Sequence, residues 1–170
     1  MAILLVREGF EMSAIAPTSW RPDFSRVLPL EPERYHGPAL ALWATVAYLV
    51  VVTGRSLVHL FAADGGAHSI ATIDTSVAGG SNIIALFGQW GAIQLLLAGL
   101  LWVLLLRYRG FLPLVILTLL IEPLLRELSG ALKPIETVGV APGAALNVWA
   151  IPVLSVLFYL ALCPAEGSRP

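Results

Sequence analysis

Two stretches of this chain, Asn82 to Leu106 and Gly143 to Cys163, contain no charged residue at all. A bilayer core about 30 Å thick needs about 20 mostly apolar residues as helix, and both stretches meet that length. They are too long for a buried strand and too apolar for an amphipathic surface helix. Two further stretches, about Pro38 to Ala63 and about Phe111 to Ser129, have the length but carry polar cargo: Arg55 and His59 in one, Glu122, Arg126 and Glu127 in the other. Every backbone amide in hydrocarbon must be paired within its own segment, and the alternating ten-residue strands of a barrel are missing. The sequence therefore predicts an all-α integral membrane protein, a bundle of four transmembrane helices spanning residues 38–63, 82–106, 111–129 and 143–163.

Composition agrees. Only 12% of the 170 residues are Asp, Glu, Lys or Arg, and the mean hydropathy is +0.84, against roughly 25% charged residues in a soluble domain. Nine of the 21 charged residues fall in residues 1–36, which leaves too few to solvate the rest as a water-exposed surface. A net charge of −1 supplies no basic field for nucleic acid. The single cysteine, Cys163, excludes an internal disulfide, a CxxC redox pair and a Cys-based zinc site.

Lys and Arg outside the spans set the orientation, because positive loops stay on the cytoplasmic side. Arg7, Arg21, Arg26 and Arg34 precede span one, Arg107 and Arg109 join spans two and three, and Arg169 follows span four; Lys133 stands alone on the other side. Both termini are therefore expected in the cytoplasm of a multi-pass inner-membrane protein, with the loops 64–81 and 130–142 outside. Trp102 and Tyr108 fit an aromatic belt at the inner end of span two. Residues 1–36, with Pro17, Pro22, Pro29 and Pro32 among mixed charges, read as an extended, peripheral cytoplasmic tail. Residues 165–170 form a short second tail, and Met12 is an alternative start. MAILLV is too short for the core of a signal peptide.

The polar residues of the spans gather in the outer half. Arg55 lies roughly 25 Å from the inner start of span one at about 1.5 Å per residue, and Arg126 reaches a similar height on span three. Tyr48, Val52, Arg55 and His59 form one helical stripe, and Thr118, Glu122, Arg126 and Ser129 another. Ionisable groups at that depth cost about 2.5–3.5 kcal/mol, so they face the bundle interior and find partners. Glu122 and Arg126 are spaced to pair along their own helix, and Glu122 or Glu127 is the expected counter-ion of Arg55 across the bundle. Arg55, Arg126, Glu122 and Glu127 then sum to zero. Such a set is either a structural clamp between spans one and three or the lining of a recess, with Gln89, Gln94 and Asn147 adding neutral hydrogen-bonding groups for a ligand's head. The third alternative is that Arg126 and Glu127 snorkel to the headgroups.

Pro123 and Pro152 each free one helical carbonyl and bend their span. Gly88, Gly91 and Gly99 allow close approach of a neighbouring helix. In the first outward loop, Asp64, His68 and Asp74, with His59 just before them, are the only candidate metal ligands, in a spacing that matches no strong metal signature. An Asp-Gly-Gly turn also serves simply to leave a helix.

Asn82, Gly88, Gln89, Gly91, Gln94 and Gly99, then Arg107 and Arg109, then a third span ending in Glu122, Arg126 and Gly130, form a pattern that resembles the small four-helix DoxX-like membrane proteins of bacteria. The resemblance covers residues 45–160. It implies an accessory or quinone-proximal role, since some relatives are subunits of sulfur-oxidising, quinone-linked complexes, and it carries over no catalytic residue. Two functions follow from the sequence as expectations. One is a bundle whose outer-half cluster binds a lipid- or quinone-like head, or that serves as accessory subunit of a membrane complex or as a homo-oligomer. The other is an enzyme on an amphipathic substrate, with Glu122 and His59 as acid and base.

Overall fold

The computed structural model describes residues 14–165 and, for residues 143–147 in the last helix, the backbone alone. Four helices carry the chain: α1 (Ala39–Phe61), α2 (Gly80–Arg107), α3 (Leu112–Leu132) and α4 (Pro142–Leu162). Short 3-10 turns lie at Phe24–Val27 and Arg109–Phe111, and no strand occurs among the described residues. Prolines mark three of the starts: Pro38 caps α1, Pro113 lies in the first turn of α3 and Pro142 opens α4. Each ring sits where the amide would have no helical partner anyway. Gly79, at φ 85°, supplies the left-handed residue from which α2 departs.

At about 1.5 Å per residue, α1 and α2 are about 34 and 42 Å long, and α3 and α4 about 31 Å each. Helices α1 and α2 are both long and apolar enough to cross a membrane. They pack along one another, α3 packs along α4, and α4 also touches α1. The two pairs share one apolar core that includes Leu49, Leu105, Leu112, Ile116, Leu154 and Leu157. It occupies the half of the bundle nearest the chain termini. At the other end α3 and α4 part company with the bundle: Leu125, Leu128, Leu132, Val148 and Trp149 are all exposed.

The register of α1 on α2 is fixed at Gly91. A Cβ there would stand 2.7 Å from both the Cβ of His59 and the amide nitrogen of Leu60, so only glycine permits the approach. Gly99 has nothing within 4 Å and is not a packing glycine. Because Gly91 is three turns into α2 while His59 is in the last turn of α1, the start of α2 rises about 13 Å beyond the end of α1. The loop between them folds back against that projection, with Gly65 lying over Ile84 and Phe87.

Within the stretch expected as a peripheral tail, the described residues, 14–36, form a strap across the start of α3 and the end of α4. Helix α4 ends with unpaired carbonyls, as every helix does, and the strap satisfies them: the Asp23 amide donates to Leu162 O at 3.0 Å and the Thr18 amide to Pro164 O at 2.9 Å. Arg26 Nη1 donates to Cys163 O (3.3 Å) and His36 O (3.1 Å), and the Tyr159 hydroxyl donates to Trp20 O (2.6 Å). The Gly110 amide donates to Pro32 O at 2.8 Å, and a Cβ on Gly110 would run into three strap carbonyls. Proline excludes regular helix here but leaves carbonyls and intervening amides free for this role. The Trp102 indole N–H donates to Thr53 Oγ1 at 3.0 Å, a bond across the α1–α2 interface.

Candidate functional site

Three helices converge on the carboxylate of Glu122. From its own helix, one turn on, Arg126 Nη2 approaches Glu122 Oε2 at 2.8 Å. From α1, Arg55 Nη2 lies 3.7 Å from Glu122 Oε1. From α2, Gln94 Nε2 donates to the same Oε1 at 3.1 Å, and Gln94 Oε1 accepts from Arg55 Nη2 at 3.4 Å. Gln94 stands three residues past Gly91, so the close helix contact that glycine allows also delivers the amide to the cluster. The guanidinium carbon of Arg55 also lies 5.7 Å from the centre of the Trp90 ring, a cation–π distance. The side chains of Arg55, Glu122 and Arg126 keep 22–28% of their surface, which makes the cluster an edge feature rather than a sealed core. Two groups inside it stay unsatisfied: Nε of Arg55 and Nε of Arg126 are buried without a hydrogen-bond partner.

The pairing of Arg55 and Arg126 with Glu122 matches the sequence reading. Glu127 lies one residue, about 100°, further round α3 and is exposed. Glu122 is the carboxylate that both guanidiniums reach. Gln89 is exposed as well, since it lies five residues before Gln94 and so about 140° round α2 from it, whereas Gln94 is 7% exposed and central. Asn147 lies in α4, but its side chain is outside the described residues.

His59 does not join Glu122. It is 2% exposed, packs on Trp90 and Phe87 at ring-centre distances of 4.8 and 5.6 Å, and donates from Nδ1 to Gly65 O at 2.8 Å. A carbonyl only accepts, so Nδ1 carries the proton. The ring locks the loop onto the end of α1.

The candidate metal ligands are likewise spent locally. Asp64 takes the amides of Ser69 (2.7 Å) and Gly66 (2.9 Å), which hold its carboxyl down at about 2. Asp74 takes the hydroxyl and amide of Ser76 (2.6 and 2.8 Å), which lower its pKa, and His68 Nδ1 lies 3.3 Å from Ile73 O. Among the described residues no three His, Cys, Asp or Glu side chains gather for a metal ion. Short polar side chains after a helix close turns on their own backbone, and that use has won here.

Beside Glu122 is a cavity of about 20 Å³, lined by Tyr48, Val52, Gln94, Leu97, Thr118 and Glu122 among others. That is room for about one water, with polar partners on the wall to hold it. A drug-sized ligand fills some 300–1,000 Å³, so a headgroup has no room within the bundle. No family model, curated protein or solved structure matches the chain.

Proposed function

We propose that this chain is a four-span membrane protein that acts by binding rather than by catalysis. Both termini lie in the cytoplasm of a bacterial inner membrane, and the cluster on Glu122 lies in the outer half of the bilayer. Helices α3 and α4, each about 31 Å long, are long enough to cross beside α1 and α2, and the apolar side chains they expose suit acyl chains. The cluster ties three helices together and offers its unsatisfied guanidinium N–H groups to the head of a lipid- or quinone-like molecule lying in the outer leaflet against α3 and α4. This is the ligand-binding arm of the DoxX-like expectation. The observation that carries it is a pair of buried donors: Nε of Arg55 and Nε of Arg126 stand beside the Glu122 carboxylate that both side chains reach, without a hydrogen-bond partner. A general acid–base pair has less support, since the nitrogen of His59 nearest the loop is committed to Gly65 O.

Native mass spectrometry of the chain purified from its membrane tests the binding reading. The wild type is expected to keep one anionic or quinone-like molecule, and Arg55→Gln to lose it while remaining folded. A wild type that carries nothing, or an Arg55→Gln protein that keeps the ligand, defeats it. Topology is checked on a Cys163→Ala background, where Ala78→Cys is expected to label from outside and Glu33→Cys only after permeabilisation.

A further inference from the structure

At the opposite end from Glu122, the strap and the first turn of α3 enclose a second cavity, of about 70 Å³. Its walls include Arg26, Arg34, His36, Tyr35 and Pro113. We infer that this cavity is a binding site for a phosphate group, gripped by Arg26, Arg34 and His36.

The cationic residues are brought together by the fold, not by their spacing. Arg26 is anchored because Nη1 bonds His36 O and Cys163 O, which leaves Nη2 as an uncommitted donor. Arg34 is exposed and close in sequence to His36, whose carbonyl takes both Arg26 and the Ala165 amide. Pro113 places the positive end of α3 against the same space, where negative charge is favoured. Asp23 lies 3.9 Å from Arg26 Nε with its side chain 57% exposed, too far and too solvated to neutralise the site. Glu31 and Glu33 are exposed and are not among the walls. The volume exceeds twice the roughly 30 Å³ a water occupies in the liquid, so it admits a tetrahedral oxyanion but not a nucleotide. Two planar guanidiniums and an imidazole are the donors that recognise phosphate oxygens. The phosphate belongs either to an anionic lipid of the adjacent leaflet or to free inorganic phosphate. The site stands apart from the Glu122 cluster and does not depend on what that cluster binds.

Hydrogen exchange of the full chain in nanodiscs separates the outcomes. The discs contain phosphatidylcholine alone, phosphatidylcholine with added inorganic phosphate, or phosphatidylglycerol. Amides of the strap around residues 31–36 and of the turn 109–111 are expected to exchange at least about tenfold more slowly when the site is filled, the scale of one charged hydrogen bond gained. Protection by phosphatidylglycerol alone assigns the site to a lipid phosphate; protection by inorganic phosphate in neutral discs assigns it to the free anion. Arg34→Gln, which removes no bond that holds the strap, is expected to abolish the protection, and Arg107→Gln, an exposed cation of the same end, to keep it. Unchanged exchange under both anions, or equal protection in Arg34→Gln and wild type, overturns the assignment.

Discussion

Replacing Glu122 by Gln removes the one negative charge that Arg55 and Arg126 share, while keeping a carbonyl that Gln94 can still bond. The contact of Arg126 at 2.8 Å is a hydrogen bond between charged groups, worth about 1.5–3 kcal/mol. That of Arg55 at 3.7 Å, between side chains a quarter exposed, adds about 0.2–1 kcal/mol. Removal of the carboxylate also leaves two cations facing each other within one site, so the loss is about 2–4 kcal/mol, a factor of at least about thirty in the folded-to-unfolded ratio at 1.4 kcal/mol per tenfold. An SDS titration in mixed micelles, followed by tryptophan fluorescence, reads this directly. The double variant Arg55→Gln/Glu122→Gln removes the repulsion as well, and is expected to be more stable than the sum of the two single losses by about 1 kcal/mol. A Glu122→Gln protein within about 0.5 kcal/mol of wild type, the range of an ordinary surface substitution, would show that the cluster bears no load and refute the clamp.

The same titration checks the helix contact: Gly91→Ala is expected to cost about 1–3 kcal/mol by overpacking against His59 and Leu60, while Gly99→Ala, which meets nothing within 4 Å, is expected to be neutral or slightly stabilising. For the α1–α2 loop, the Asp64 carboxyl is held at about 2 by the Ser69 and Gly66 amides, below its unfolded value of about 4. Its contribution is therefore whole above about pH 5 and lost as pH falls towards 2; acid-induced loosening of residues 64–69 in hydrogen exchange should vanish in Asp64→Ala. Arg26→Gln removes bonds to two carbonyls that cap α4 and its neighbour, and is expected to cost about 1–3 kcal/mol and to speed proteolysis of the strap.

The cluster was legible where helix geometry alone decides. The spacing of Glu122 and Arg126 makes them neighbours on any α-helix, and equal distances from the inner ends put Arg55 at the same height. What was hidden depended on register between helices. Depth on α2 counted from Asn82 favours Gln89, but the close approach at Gly91 slides α2 outward and puts Gln94 opposite Arg55 instead. The signal for this was present, since Gly91 and Gln94 lie on one face three residues apart, yet nothing in the chain says which of three glycines makes the contact. Glu127 is exposed for a reason the helical wheel contains: adjacent residues point about 100° apart. The strap was read as peripheral because proline excludes regular structure, and proline does exclude it. Composition does not reveal that such a segment can still spend its amides on another helix's free carbonyls.

The placement of the cluster follows from how the bundle divides its work. At the terminal end, an apolar core and the strap hold all four helices, so that end has no need of charge. At the other end, α3 exposes Leu125, Leu128 and Leu132, and α4 exposes Val148 and Trp149, so apolar packing contributes little to holding α3 against α1 and α2. Lipid tails are as apolar as leucine and give no hydrophobic drive to close that gap. The bonds of Glu122 to α1 and α2 are the polar tie that resists opening there. The two guanidiniums beside Glu122 repel one another, and on the binding reading proposed above a ligand head that bonds their unsatisfied N–H groups relieves that repulsion. On that reading binding and clamping are one equilibrium: the ligand must tighten α3 on α1, and a variant that loosens α3 must weaken the ligand by the same factor. Measuring both in Thr118→Val, which alters the cavity wall beside Glu122 without touching a charge, would separate this coupling from simple charge attraction, which predicts unchanged binding.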